Sequence, residues 1–227
     1  MPTRIEQNLQ SKAVLDSVID GSITSIESDA TSIRTEALSN CTSLVTANFP
    51  NAVSVGASSF KDCPSLSNVY FPNLTSTSSN SFVRCIGLES VELPKLTILF
   101  TACFNGCLLL SSIYIPKVTS IGSLVFANCA SLLRLFLPSV TSLNSSCFSN
   151  CSSLSLVFLG QRATLSNLNA LQNCPAIIYV KPEDLSWYST ATNWSTLYAQ
   201  DRIKSIEDLT GDDLAWYQEQ LARYQAA

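Results

Sequence analysis

Between residues 41 and 160 one short pattern of apolar and polar positions returns every 22 residues. Each unit carries an alternating run: Val69-Tyr70-Phe71, Val91-Glu92-Leu93, Ile113-Tyr114-Ile115, Leu135-Phe136-Leu137 and Val157-Phe158-Leu159. Alternation rich in β-branched and aromatic residues predicts a strand with its outer two side chains inward and the middle one outward. Pro50, Pro72, Pro94, Pro116 and Pro138 follow, with Gly160 in the sixth place. Proline has no N–H to give to a ladder, so each strand ends there. Small aliphatics recur two residues later (Leu74, Leu96, Val118, Val140) and five residues later (Val55, Leu99, Ile121, Leu143). Phe60, Phe82, Phe104, Phe126 and Phe148 then open a segment predicted as one helical turn. It ends at Asn40, Asp62, Gly106, Asn128, Asn150 and Asn173, residue types that tolerate the left-handed conformation. Cys41, Cys63, Cys85, Cys107, Cys129 and Cys151 come next, Cys174 follows after 23 residues, and a leucine stands three residues beyond each of the first six. Arg84 breaks the Asn row, and Thr77 stands where an aliphatic residue is expected, so the third coil is predicted to be the loosest.

A fixed period of this length means one supersecondary unit stacked as a solenoid. Strands ~4.8 Å apart make six coils a rod roughly 30 Å long. Each coil buries its core only against its neighbours, so the ends need covers. Residues 1–28, with helical spacing at Ile5, Leu9, Leu15, Val18 and Ile19 and then Ile23 and Ile26, are read as the first cap. The solenoid spans 29–160, a second cap 161–209, and a terminal amphipathic helix 210–227. In that helix Thr210-Gly211-Asp212 precedes an apolar stripe of Leu214, Trp216, Tyr217, Leu221 and Tyr224. Such a stripe exceeds what a cap needs. It can pack on the solenoid flank, pair with another copy or dock on a larger assembly.

The run Leu88 to Leu93 resembles the strand signature of leucine-rich repeats. With the proline, Thr119-Ser120-Ile121, Phe126 and Asn128-Cys129, the unit is similar to the BspA-like class over roughly residues 20–180. The resemblance implies an α/β-type solenoid with a parallel β-sheet on one face, short helical turns opposite and helical caps. Members of that class serve as surface adhesins, secreted antigens and phage virion parts. The stretch from Tyr179-Val180 to Ala191-Thr192-Asn193-Trp194-Ser195 also resembles the C-terminal cap of phage-encoded members. These likenesses imply a non-enzymatic virion component, in the tail, a fibre or head decoration. The alternative is a cell-surface or secreted adhesin module, and the partner is a protein or a surface glycan.

Charge narrows the field. From Cys41 to Leu159 the ionisable acids and strong bases are Lys61, Asp62, Arg84, Glu89, Glu92, Lys95, Lys117 and Arg134, and the formal net charge of the chain is −4. A nucleic-acid ligand needs clustered Lys and Arg to displace counterions, and no such stripe exists here. No apolar run approaches membrane-spanning length. The first residues lack the apolar core of a secretory signal, which leaves either a non-exported chain or one whose leader has been removed.

Catalytic readings fare poorly. The chain has no histidine, so Ser-His-Asp and Cys-His schemes have no base. Cys103 with Cys107, and Cys147 with Cys151, are i,i+4 pairs lacking the second ligand pair that zinc requires. No metal or other cofactor is therefore expected. In-register cysteines can be read as disulfide ladders or as small buried apolar residues. The odd total of nine and the side-chain direction favour the second reading. Glu89 and Glu92 resemble a glycosidase pair only in number, because an exposed strand provides no pocket to raise either pKa. The outward strand positions Tyr70, Glu92, Tyr114, Phe136 and Phe158, continuing from Asn48, form one lengthwise row. Such a row marks an interaction surface, or its rings stack and stabilise the sheet; the sequence permits both.

Overall fold

The protein, seen as a computed structural model, is described from residue 24 to residue 226. The helical part of the expected N-terminal cap lies outside those residues. The first described strand, β1 (Ser25–Glu27), already buries Ile26 in the stack.

Six of the coils contribute two strands each. The longer run of β1, β3 (Thr46–Asn48), β5 (Asn68–Tyr70), β6 (Ser90–Glu92), β8 (Ser112–Tyr114), β10 (Arg134–Leu137) and β12 (Leu156–Leu159) makes the main ribbon, extended by β14 (Ile177–Val180) and β15 (Ile203–Ser205). A narrower ribbon alongside it holds β2 (Ser32–Ile33), β4 (Ser54–Val55), β7 (Ile98–Leu99), β9 (Ser120–Ile121), β11 (Ser142–Leu143) and β13 (Thr164–Leu165). All pairings are parallel, and Phe136 faces Phe158 as Glu92 faces Tyr114, one period apart. The second ribbon comes from the aliphatic residue five places after the proline, whose side chain points inward while the preceding Ser or Ile points out. Its exposed edge is stitched by threonines: Thr97 Oγ1 donates to Thr75 O, Thr119 to Thr97 O and Thr141 to Thr119 O.

Opposite the ribbons the sequence predicts one-turn helices, and the structure has tighter turns. The coils from Glu36 to Asn150 carry two left-handed residues four apart, such as Ser58 and Asp62, Ala102 and Gly106, or Leu124 and Asn128, and the coil ending at Asn173 has a 3-10 turn at Leu168–Leu171 instead of the first. The Asn, Asp and Gly row is left-handed at every member, and Arg84 joins it at φ 57°. Backbone N–H groups on these turns donate to the next coil instead of within a helix, as Phe60 N to Ser81 O and Phe126 N to Cys147 O. These cross-coil bonds satisfy donors that a single helical turn would leave unpaired.

The core is a set of ladders. Phe60, Phe82, Phe104, Phe126 and Phe148 stack face to face with centroids 5.1 to 5.9 Å apart. Each such pair adds ~0.5–1.5 kcal/mol beyond burial. All nine cysteines are buried and unpaired. The ladder thiols tie coil to coil: Cys85 Sγ donates to Phe60 O at 3.0 Å, and Cys151 Sγ to Phe126 O at 2.9 Å. Gly160 replaces proline because a Cβ there would stand 2.4 Å from the Pro138 carbonyl oxygen.

At the C-terminal end a 3-10 turn at Pro182–Asp184 leads into α1 (Leu185–Tyr188), followed by α2 (Trp194–Ala199). They close the stack with two fully buried side chains, Tyr188 and Trp194. Trp194 Nε1 donates to Ala163 O at 2.6 Å and Tyr188 Oη to Gln161 O at 2.9 Å, so both polar tips are satisfied inside an apolar cover. Beyond β15 the chain turns through Thr210 into α3 (Gly211–Gln225).

Candidate functional site

The outward row begins as the alternation predicts. Tyr70 is 56% exposed. Beside it, Asn48 Nδ2 donates to Glu27 Oε1 at 3.1 Å. Glu92 is exposed as well. The other half of the row differs from the expectation of an open face. Tyr114, Phe136 and Phe158 are only 9%, 4% and 3% exposed, although their side chains leave the sheet on its outer side.

What covers them is α3. Its predicted stripe turns toward the ribbon: Tyr217 lies with its ring centroid 5.0 Å from Phe158 and 6.1 Å from Phe136, and Tyr224 lies 6.1 Å from Phe136. Phe136 and Phe158 stack on each other at 5.0 Å beneath them. Trp216 lies against the Arg134 guanidinium, 5.9 Å from the ring centroid. Leu214 and Leu221 are half-buried on the same helix. Ion pairs secure both ends. Asp213, in the first turn where the helix dipole favours an acid, accepts from Arg134 Nε at 2.7 Å. Arg223, in the last turn, donates to Glu92 Oε1 at 2.8 Å and lies 3.9 Å over the Tyr114 ring. Partial burial raises the Tyr114 pKa, and partial burial likewise raises that of Tyr217.

The two residue sets that the sequence singled out therefore meet each other. The row and the stripe were each legible in the sequence, but their contact was not. The charges that join them, Asp213 and Arg223 on the helix, lie outside the apolar spacing. The open stretch from Glu27 through Asn48 and Tyr70 to Glu92 remains as accessible ribbon, walled at one end by the last turn of α3. Elsewhere, a shallow recess of about 560 Å³ opens on the second ribbon between Ser32, Arg34, Thr35, Ser54, Gly56 and Ser78. Among the described residues no group of three or more His, Cys, Asp or Glu is placed to hold a metal ion, and no helix is long and apolar enough to cross a membrane.

Comparison with known proteins agrees with the repeat register. The profile described as "BspA type Leucine rich repeat region (6 copies)" matches residues 20–133 and 75–185. The chain belongs to the BspA-type leucine-rich repeat family. A leucine-rich cell surface protein from Faecalibacterium prausnitzii is similar at 19% identity and a TM-score of 0.46, over 70% of this chain and 60% of that one. A leucine-rich repeat protein from Bacteroides ovatus is similar at 20% identity and a TM-score of 0.43, over 71% and 63%. The T. pallidum leucine-rich repeat protein is similar at 19% identity and a TM-score of 0.40, over 66% and 67%. A search of curated proteins finds no match.

Proposed function

We propose that this chain is a non-enzymatic recognition module that holds a protein or a surface glycan on the open half of its main ribbon. The observation that carries this reading is Tyr70, a large ring left mostly exposed in a register where the following aromatic rings are covered. A tyrosine offers a broad apolar face with a polar tip, at low cost in conformational entropy when it is immobilised. Flanking it, the Asn48 amide and the Glu27 and Glu92 carboxylates supply directed hydrogen bonds on a rigid, shallow surface. A flat face with few charges suits a macromolecular surface better than a small molecule, which favours concave pockets.

The setting we propose is a phage particle, with this chain as a host-facing tail, fibre or head-decoration component. Support comes from the resemblance of the segment through Trp194 to phage-type caps. The unpaired, buried thiols also suit assembly in a reducing cytosol. The alternative setting is the surface of a bacterial cell, to which family membership lends equal support. Tyr70→Ser should abolish retention of the chain on host cells while leaving its circular-dichroism spectrum intact; unchanged retention would remove the site. Antibody labelling of purified particles and of intact producing cells separates the two settings.

A further inference from the structure

The terminal helix and its seat say something about a second copy of this chain. Tyr114, Phe136 and Phe158 are nearly fully buried under α3, whereas on α3 Gln220 alone is as deeply buried, Leu214, Trp216, Tyr217 and Leu221 are partly covered and Tyr224 is exposed. The ribbon thus depends on being covered more than the helix depends on staying where it is. The seat is also selective. Arg134 and Glu92 meet Asp213 and Arg223 with opposite signs at the two ends of the contact, which fixes the helix in one orientation. Finally, the connection is a hinge. Leu209 is the last buried residue of the body, Thr210 is exposed, and Gly211 has φ +54° with no atom within 4 Å of where a Cβ would stand.

We infer that α3 exchanges between two copies, each helix seating on the other's aromatic row, so that the covered half of the ribbon is a self-recognition surface. The contacts made between copies are those already made within one, so exchange costs only the loss of free motion on association and the work of straightening the hinge. A short hinge before a terminal element is the arrangement in which exchange competes with closure. The seat is matched to this helix in charge and ring placement, which singles out a second copy as its occupant. Tyr70, Asn48 and Glu27 on the open half lie outside this seat, and Glu92 is shared between the two surfaces.

Two full-length variants test the exchange. One carries Asp213→Arg with Arg223→Glu on the helix, the other Glu92→Arg with Arg134→Asp on the ribbon. All four side chains are partly exposed, so neither variant disturbs the core. Alone, each places like charges together whether its helix closes at home or swaps with an identical copy. Mixed, only exchange between the two kinds restores opposite charges at every seat. Light scattering with native mass spectrometry should then show a one-to-one heterodimer, its fraction on the order of tenfold above the dimer fraction of either variant alone. A mixture that stays monomeric, or that dimerises no more than its components, overturns the inference.

Discussion

The buried cysteines are chemically quiet for a physical reason that also predicts alkali sensitivity. Burial pushes the Cys103 and Cys129 thiols up to about 12, and it raises Cys107 and Cys174 as well. In the unfolded chain a thiol loses its proton near ~8.5. Above that pH the unfolded state binds fewer protons than the folded one, so stability falls as pH rises. The thiol contribution is whole below pH ~8.5 and is lost progressively toward about 12. The urea midpoint should therefore drop between pH 8.5 and pH 10.5, and iodoacetamide at pH 8 should label the native chain far more slowly than the urea-unfolded one. A midpoint that holds across this range would mean the thiols are not protected by the fold. Arg84 shows another residue-scale accommodation. It sits left-handed in the Asn row, its guanidinium Nη2 donates to Asp62 Oδ2 at 2.6 Å, and its stem occupies the space beside Gly106, where a Cβ would lie 3.2 Å from Arg84 Cγ.

At the scale of the element, α3 is held mainly by Tyr217, which touches both Phe136 and Phe158. Removing its ring forfeits two aromatic contacts of ~0.5–1.5 kcal/mol each. Tyr217→Ala should thus speed amide exchange across residues 211–225 by roughly tenfold or more. Exchange in β10 and β12 should change far less, because their ladder bonds do not pass through the helix. Equal acceleration in helix and strands would mean that α3 is part of one cooperative unit. What the sequence revealed here, and what it hid, follows from what periodicity encodes. A period of 22 with alternating strands sets which side chains face out, so the row from Tyr70 to Phe158 was readable, and so was the stripe from Leu214 to Tyr224. Neither pattern says what lies opposite. The pairs that join them, Arg134 with Asp213 and Glu92 with Arg223, are separated by 79 and 131 residues. The turns were half-readable for a similar reason. Asn128 and Asn150 announce a left-handed backbone, but Ala102 and Leu124 do not. Their φ of 55° and 60° goes with N–H groups that donate to the next coil, Ala102 N to Ser123 O and Leu124 N to Ser145 O.

For the molecule as a whole, a stack of coils is only as cooperative as its weakest interface. That interface lies around the coil that carries Thr77. There the second ribbon shrinks to single bridges of Ser76 with Ser54 and Ile98. The main ribbon breaks here, between β5 and β6, and again between β8 and β10, but only here does the second ribbon break with it. Thr77 itself puts a hydroxyl at a position that Val55, Leu99, Ile121 and Leu143 fill in other coils, and its buried Oγ1 has no hydrogen-bond partner. A buried, unsatisfied hydroxyl costs ~1–3 kcal/mol. The Phe60–Phe82–Phe104 stack and the cross-coil turn bonds still pass through this region, so the joint is weakened but not severed. Residues 24–70 should therefore open as a unit ahead of residues 90–205 when hydrogen exchange is followed in rising denaturant. Thr77→Val keeps the shape and removes the orphaned hydroxyl. It should raise the opening free energy of the N-terminal coils by about 1 kcal/mol and narrow the gap between the two groups. If both halves exchange at one common free energy in the unmodified chain, or if Thr77→Val destabilises it, the weak joint does not lie there and the stack unfolds as a single body.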